Sequence, residues 1–65
     1  VPSTVIRNFR YHAREQKLEV VFVSGRCYFY HGVPADVFNA MKAALSKGTF
    51  FNAHIRNRFR YTRGR

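Results

Sequence analysis

Gly25-Arg26-Cys27-Tyr28-Phe29-Tyr30-His31-Gly32-Val33-Pro34 reads as an aromatic strand that runs directly into a helix. Tyr28, Phe29 and Tyr30 favour extended backbone. Gly32-Val33 ends the strand, and Pro34 suits a first helical position, where its fixed φ is preset and no hydrogen bond is lost. The strand-like runs lie before this stretch, and the helical periodicities lie after it.

Immediately upstream, Leu18-Glu19-Val20-Val21-Phe22-Val23 is the clearest strand, with Leu18, Val20 and Phe22 on one face and Glu19, Val21 and Val23 on the other. The turn at Ser24-Gly25 sets which tyrosines face the core. A two-residue loop would align Cys27, Phe29 and His31 with Val20 and Phe22. A three-residue loop, Ser24-Gly25-Arg26 with a glycine bulge, puts Tyr28 and Tyr30 there instead, because a slip of one residue flips every side chain. The second is favoured, with Tyr28 and Tyr30 toward the helices and Phe29 on the outer face. Further upstream, residues 13–17 form a polar hairpin loop after a β-rich run from Ser3 to His12. In that run Phe9 and Tyr11 alternate with Arg10, while Ile6 falls out of phase, and a bulge near Arg7-Asn8 would restore it. Residues 1–4 are a short lead.

Downstream, Asp36 sits in a first helical turn, where a carboxylate complements the helix dipole. Val37, Met41, Ala44 and Leu45 make one apolar stripe with Phe38 beside it. Gly48 is a natural stop and Thr49 a cap for a second helix. There Phe51, Ile55 and Phe59 recur every four residues. Opposite them Asn52, Arg56, Arg60 and Arg63 form a basic ridge, provided the helix runs that far; the last residues, Thr62 to Arg65, fray. The expected fold is α+β: a three-stranded antiparallel β-meander followed by two α-helices packed on one face, β-β-β-α-α. The 65 residues form one domain, 1–65, with a basic C-terminal tail at about 57–65.

A chain this short has a marginal core, which its seven Phe and four Tyr offset and which oligomerisation could complete. Twelve Lys and Arg against three acids give a formal charge of +9, and nine of the twelve are Arg. Arg presents a planar fork that matches phosphate and stacks on bases; solubility alone would use Lys as readily and mix the signs. The acids Glu15, Glu19 and Asp36 do not pair by spacing, and His12, His31 and His54 fall in three elements. Neither acid–base catalysis nor a metal site follows, and no glycine-rich phosphate loop is present. Cys27 permits no intrachain disulfide and reads as a small strand hydrophobe. A lone cysteine without a signal peptide fits the cytoplasm, and no apolar run approaches a membrane span. The expectation is therefore no enzyme, no cofactor, no membrane and no small-molecule substrate.

Arginine interleaves with aromatics in two places, Arg7 to Tyr11 and Arg56 to Tyr61, and residues 56–65 hold five Arg in ten positions. Phosphates take Arg, and single-stranded bases stack on aromatic faces.

Leu18-x-Val20-x-Phe22-x-x-Gly25-x-x-Tyr28-x-Tyr30-x-x-Val33-Pro34, then Ala44-x-Ser46-x-Gly48-x-Phe50-Phe51-Asn52-x-x-Ile55-Arg56, closely resembles the KTSC domain, a family named after the C-terminal extension of some lysyl-tRNA synthetases. Tyr28, Tyr30 and Asn52 match its motifs, and the Arg-rich tail after Arg56 departs from the usual pattern. The synthetase context of the resemblance suggests RNA. The expected function is thus non-catalytic nucleic-acid binding, RNA (tRNA or single-stranded) in preference to DNA. Phosphate contacts would come from Arg56, Arg58, Arg60 and Arg63 with Arg7 and Arg10, and stacking from Tyr61 or Phe29. The alternative is a protein-interaction or self-assembly module, a homo-oligomer, using Val21, Val23 and Phe29 of the outer sheet face.

Overall fold

Alternation in the first half and helical spacing after Pro34 produce a sheet covered on one side by two short helices. A computed structural model describes residues 6–64. The lead at 1–4, the strand start at 3–5 and residue 65 of the tail lie outside the described residues. The elements are β1 (Ile6–His12), β2 (Lys17–Phe22), β3 (Cys27–His31), α1 (Ala35–Ala43), α2 (Lys47–His54) and β4 (Tyr61–Arg63). The strands form one antiparallel sheet in the order β1-β2-β3-β4.

The fourth strand corrects the three-stranded expectation. The backbone leaves the helix at Ile55 (φ −121°, ψ −47°), where the amides of both Ile55 and Arg56 donate to the Phe51 carbonyl. Ile55 is fully buried, so this break is anchored in the core. The chain then crosses to β3, whose edge would otherwise leave a row of backbone groups unpaired. His31 N–H donates to Arg60 O (2.8 Å) and Gly64 N–H to Cys27 O (2.7 Å), bracketing the pairs Tyr30↔Tyr61 and Tyr28↔Arg63. The expected helical ridge of Arg56, Arg60 and Arg63 does not form, and Thr62 and Arg63 are strand rather than frayed end.

The register puts the predicted faces where alternation required. Phe9↔Val20↔Tyr28 and Tyr11↔Leu18↔Tyr30 point toward the helices. The register of β1 shifts between Ile6 and Asn8, so a bulge at Arg7 brings Ile6 opposite Phe22 on that same face. The β2–β3 loop is Val23-Ser24-Gly25, one residue earlier than expected. Gly25, at φ +95°, donates its amide to Phe22 O, and Phe22 N–H donates to Arg26 O (both 2.8 Å). The pairing therefore slides by two residues, which preserves both faces.

Leu18, Val20, Tyr30, Val33, Met41, Phe51 and Ile55 form the buried core. In α1, Phe38 stacks on Tyr11 (4.8 Å between centroids) and meets Phe9 edge-on (5.9 Å). In α2, Phe51 meets Phe22 and Tyr30 edge-on at 5.6 and 5.2 Å. Three helix-end expectations change. Pro34 is the N-cap (ψ 156°) rather than the first helical residue. The first helix stops at Ala43, so Leu45 leaves the apolar stripe and stands fully exposed. Ser46, not Thr49, caps α2 by accepting the Thr49 amide (3.2 Å), and Gly48 is buried in its first turn.

Candidate nucleic-acid interface

Two helices of nine and eight residues are too short to roof a four-stranded sheet. Phe38 occupies the β1 side and Phe51 the middle. The β3–β4 end stays open, and a cleft of about 680 Å³ forms there between the sheet, the β2–β3 loop and the end of α2. Phe22, Tyr28, Tyr30 and Phe51 line it with aromatic surface, and Asn52, Arg56, Arg26 and Tyr61 supply its polar edge.

Strand β4 delivers Tyr61 to this cleft. Tyr61 pairs with Tyr30 in the ladder and also meets Tyr28 edge-on at 5.3 Å, yet stays 55% exposed. The helix end delivers Asn52 and Arg56, and Arg56 Nη1 donates to Asn52 Oδ1 at 3.4 Å. Burial pushes the Tyr30 phenol above its ordinary pKa, with the neighbouring Tyr61 adding to the shift and Arg56 opposing it, so this group stays a neutral hydroxyl at physiological pH.

The opposite face of the sheet carries no helix, and its polar groups are engaged with one another. Glu19 accepts from His12 Nε2 at 3.0 Å, and Cys27 Sγ lies 3.7 Å from its other oxygen. The His12 hydrogen bond is the main reason that the Glu19 carboxyl sits below its ordinary pKa; burial opposes it, and Arg10 and Cys27 add to the lowering. Lys17 Nζ stands 4.9 Å from the centre of the Phe29 ring, and His31 Nε2 is 3.0 Å from Thr62 Oγ1. Among the described residues no cluster of three His, Cys, Asp or Glu could hold a metal ion, and no helix is long and apolar enough to cross a membrane.

The residues expected to bind nucleic acid are thus divided by the sheet. Arg56 and Tyr61 meet at the cleft, and the motif residues Tyr28, Tyr30 and Asn52 join them there. Arg63 pairs with Tyr28 and shares the face of Tyr61. Arg58 and Arg60 are exposed on the link between Asn57, a lining residue, and Tyr61. Phe29 and Arg10 lie on the far face in the cross-strand row Arg10↔Glu19↔Phe29, and Arg7 is exposed in the bulge of the distant edge strand. Sequence reasoning missed Phe22 and Arg26 as cleft residues. It also missed the convergence itself, although Tyr61-Thr62-Arg63 carries a period-two alternation that would have put Tyr61 beside Tyr28 and Tyr30.

Comparison with known proteins gives concordant matches. The KTSC domain family model matches residues 2–59. A protein from Tsukamurella paurometabola is 40% identical over 60 residues, covering 92% of this chain and 90% of that relative. A lysine–tRNA ligase from Nostoc punctiforme is 38% identical over 59 residues, covering 91% of this chain but 10% of the ligase's length. Among solved structures, the crystal structure of a KTSC domain protein from Yersinia pestis superposes with a TM-score of 0.90 at 32% identity, covering 97% of this chain and 89% of that one.

Proposed function

This chain belongs to the KTSC domain family, and we propose that it binds nucleic acid without catalysis, RNA in preference to DNA, through the β3–β4 side of its sheet. The observation that carries the reading is the cleft, where three tyrosines, Asn52 and Arg56 converge in a chain of formal charge +9. Arg56 and Arg63 contact phosphates, Arg58 and Arg60 extend the positive surface, and Tyr61 offers its exposed ring to an unpaired base. RNA is favoured because relatives include lysine–tRNA ligases; their activity belongs to a much longer protein, of which this chain spans 10%.

The test is binding to labelled tRNA, single-stranded RNA and duplex DNA at about 50 and 200 mM salt. Six or more phosphate contacts would cost ~10³-fold in affinity across that range. Tighter binding of RNA than DNA at the higher salt is the expected result. Weak binding that ignores the type of nucleic acid contradicts the reading. A second reading, self-assembly through the helix-free face, draws on half-buried Val21 and Phe29, while Val23, expected on that face, lies in the β2–β3 loop and lines the cleft instead. Glu19, His12 and Lys17 interrupt that apolar surface, which is why the cleft is preferred.

A further inference from the structure

The open edge of β4 presents main-chain donors beside the arginines. His31 N–H donates to Arg60 O and Gly64 N–H to Cys27 O. Alternation along an antiparallel ladder then makes Phe29↔Thr62 the hydrogen-bonded pair and leaves Tyr30↔Tyr61 and Tyr28↔Arg63 as the non-hydrogen-bonded pairs. The amides of Tyr61 and Arg63 therefore point away from β3. β4 stands at the end of the sheet order and all three of its residues are exposed, so those two amides face solvent. They lie two residues apart on one edge, ~6.8 Å at the rise of an antiparallel strand. That is close to the step between successive phosphates of an extended single strand. The side chains of the same two residues turn onto the cleft face, where the Tyr61 ring meets Tyr28 and Tyr30.

An open strand edge fits two kinds of extended chain, a peptide strand or a single-stranded nucleic acid. Charge favours the second. Arg58, Arg60 and Arg63 stand exposed along and just before this edge, and no acid follows Asp36 in the sequence. Outward amides at the edge of a sheet make an anion site in their own right. Resting on the RNA-binding reading above, we infer that the β4 edge is a phosphate track for single-stranded RNA. Two successive phosphates accept from the Tyr61 and Arg63 amides, and the base between them folds over the edge onto the Tyr61 ring. A duplex cannot satisfy both halves of the site, because its bases are paired away from the phosphates that would lie along the edge. The track holds the backbone of an unpaired strand and is indifferent to base identity.

Proline is tolerated on an edge strand where its nitrogen faces solvent, so Arg63→Pro removes the outward amide without costing a ladder bond. Arg63→Ala removes the same guanidinium and keeps the amide. Fluorescence anisotropy compares the two variants on ten-nucleotide oligouridine at fixed salt, and thermal unfolding checks that both fold. Arg63→Pro is expected to bind about 10-fold more weakly than Arg63→Ala, the scale of one hydrogen bond to a charged acceptor. Amide hydrogen exchange on wild type needs no variant. In the free protein the Thr62 amide is expected to be protected, while those of Tyr61 and Arg63 exchange fast. Saturating oligouridine should slow these two by about 10-fold or more. Equal binding by the two folded variants, or unchanged exchange at Tyr61 and Arg63 under bound oligouridine, overturns this inference and leaves RNA binding standing. Slowing by decaglutamate but not by oligouridine assigns the edge to an added peptide strand and overturns it too. No binding to oligouridine or to tRNA overturns both readings.

Discussion

The two faces of the sheet carry similar residue types and differ in what those residues are committed to. On the outer face Phe29 lies under Lys17, and Glu19 is held by His12 with Cys27 and Arg10 nearby. In the cleft, Tyr61 is more than half exposed and Arg56 is exposed beside it. An aromatic ring beside an arginine is therefore no interface by itself. Charges and donors already engaged within the fold have little left to give a ligand, whereas the exposed ring and guanidinium of the cleft are open to one.

The largest effect that could break this contrast is loss of the α2 packing that frames the cleft. Phe51 is 3% exposed and meets both Phe22 and Tyr30, so Phe51→Ala should lower stability by about 3–5 kcal/mol in urea unfolding. The next effect separates the faces directly. Reversing Arg56 and Arg63 to Glu should weaken single-stranded RNA about 100-fold in anisotropy titrations at low salt, while Arg10→Glu or Phe29→Ala should change it by less than about 3-fold.

A third prediction couples the faces. A Cβ on Gly64 would lie 2.9 Å from Cys27 Sγ and from Phe29 Cε2, so β4 is seated against the outer face at the residue after its end. Gly64→Val should cost about 1–3 kcal/mol, and by loosening β4 it should also reduce RNA affinity, although the substitution is made on the side away from the cleft. Urea unfolding and anisotropy on the same variant check both halves.

The smallest effect belongs to the outer face alone. Because the folded-state pKa of Glu19 lies below its ordinary value of 4.5, the contribution of its ionised form to stability is complete above that value and is lost as pH falls through the folded-state pKa. Thermal unfolding of wild type should therefore show a decline below about pH 4.5 that is shallower in Glu19→Gln, with RNA binding at neutral pH unaffected.

Much of this division is legible in the sequence. Alternation in β2 and the out-of-phase Ile6 specified the inner face and the bulge at Arg7, because one buried face tolerates no slip. A three-residue loop placed Tyr28 and Tyr30 inward even though its position was misjudged by one residue. The cleft was not legible, for a specific reason. Arg56, Arg60 and Arg63 have helical spacing, and the local counter-signal, the alternation of Tyr61-Thr62-Arg63, is too short to outweigh it. What overrides that spacing is long-range: Ile55 locked in the core and an edge of β3 that needs a partner. A three-residue strand whose partners lie more than thirty positions away leaves almost no local trace. Leu45 failed for the opposite reason, since its stripe was correct but the helix ended two residues before it.

The most direct test of the account maps the amide shifts of isotope-labelled protein by NMR as a single-stranded RNA is added. The largest shifts should fall at Tyr28, Tyr30, Asn52, Arg56 and Tyr61. Shifts concentrated instead at Asn8, Arg10 and Glu19, or spread evenly over every exposed arginine, would contradict it.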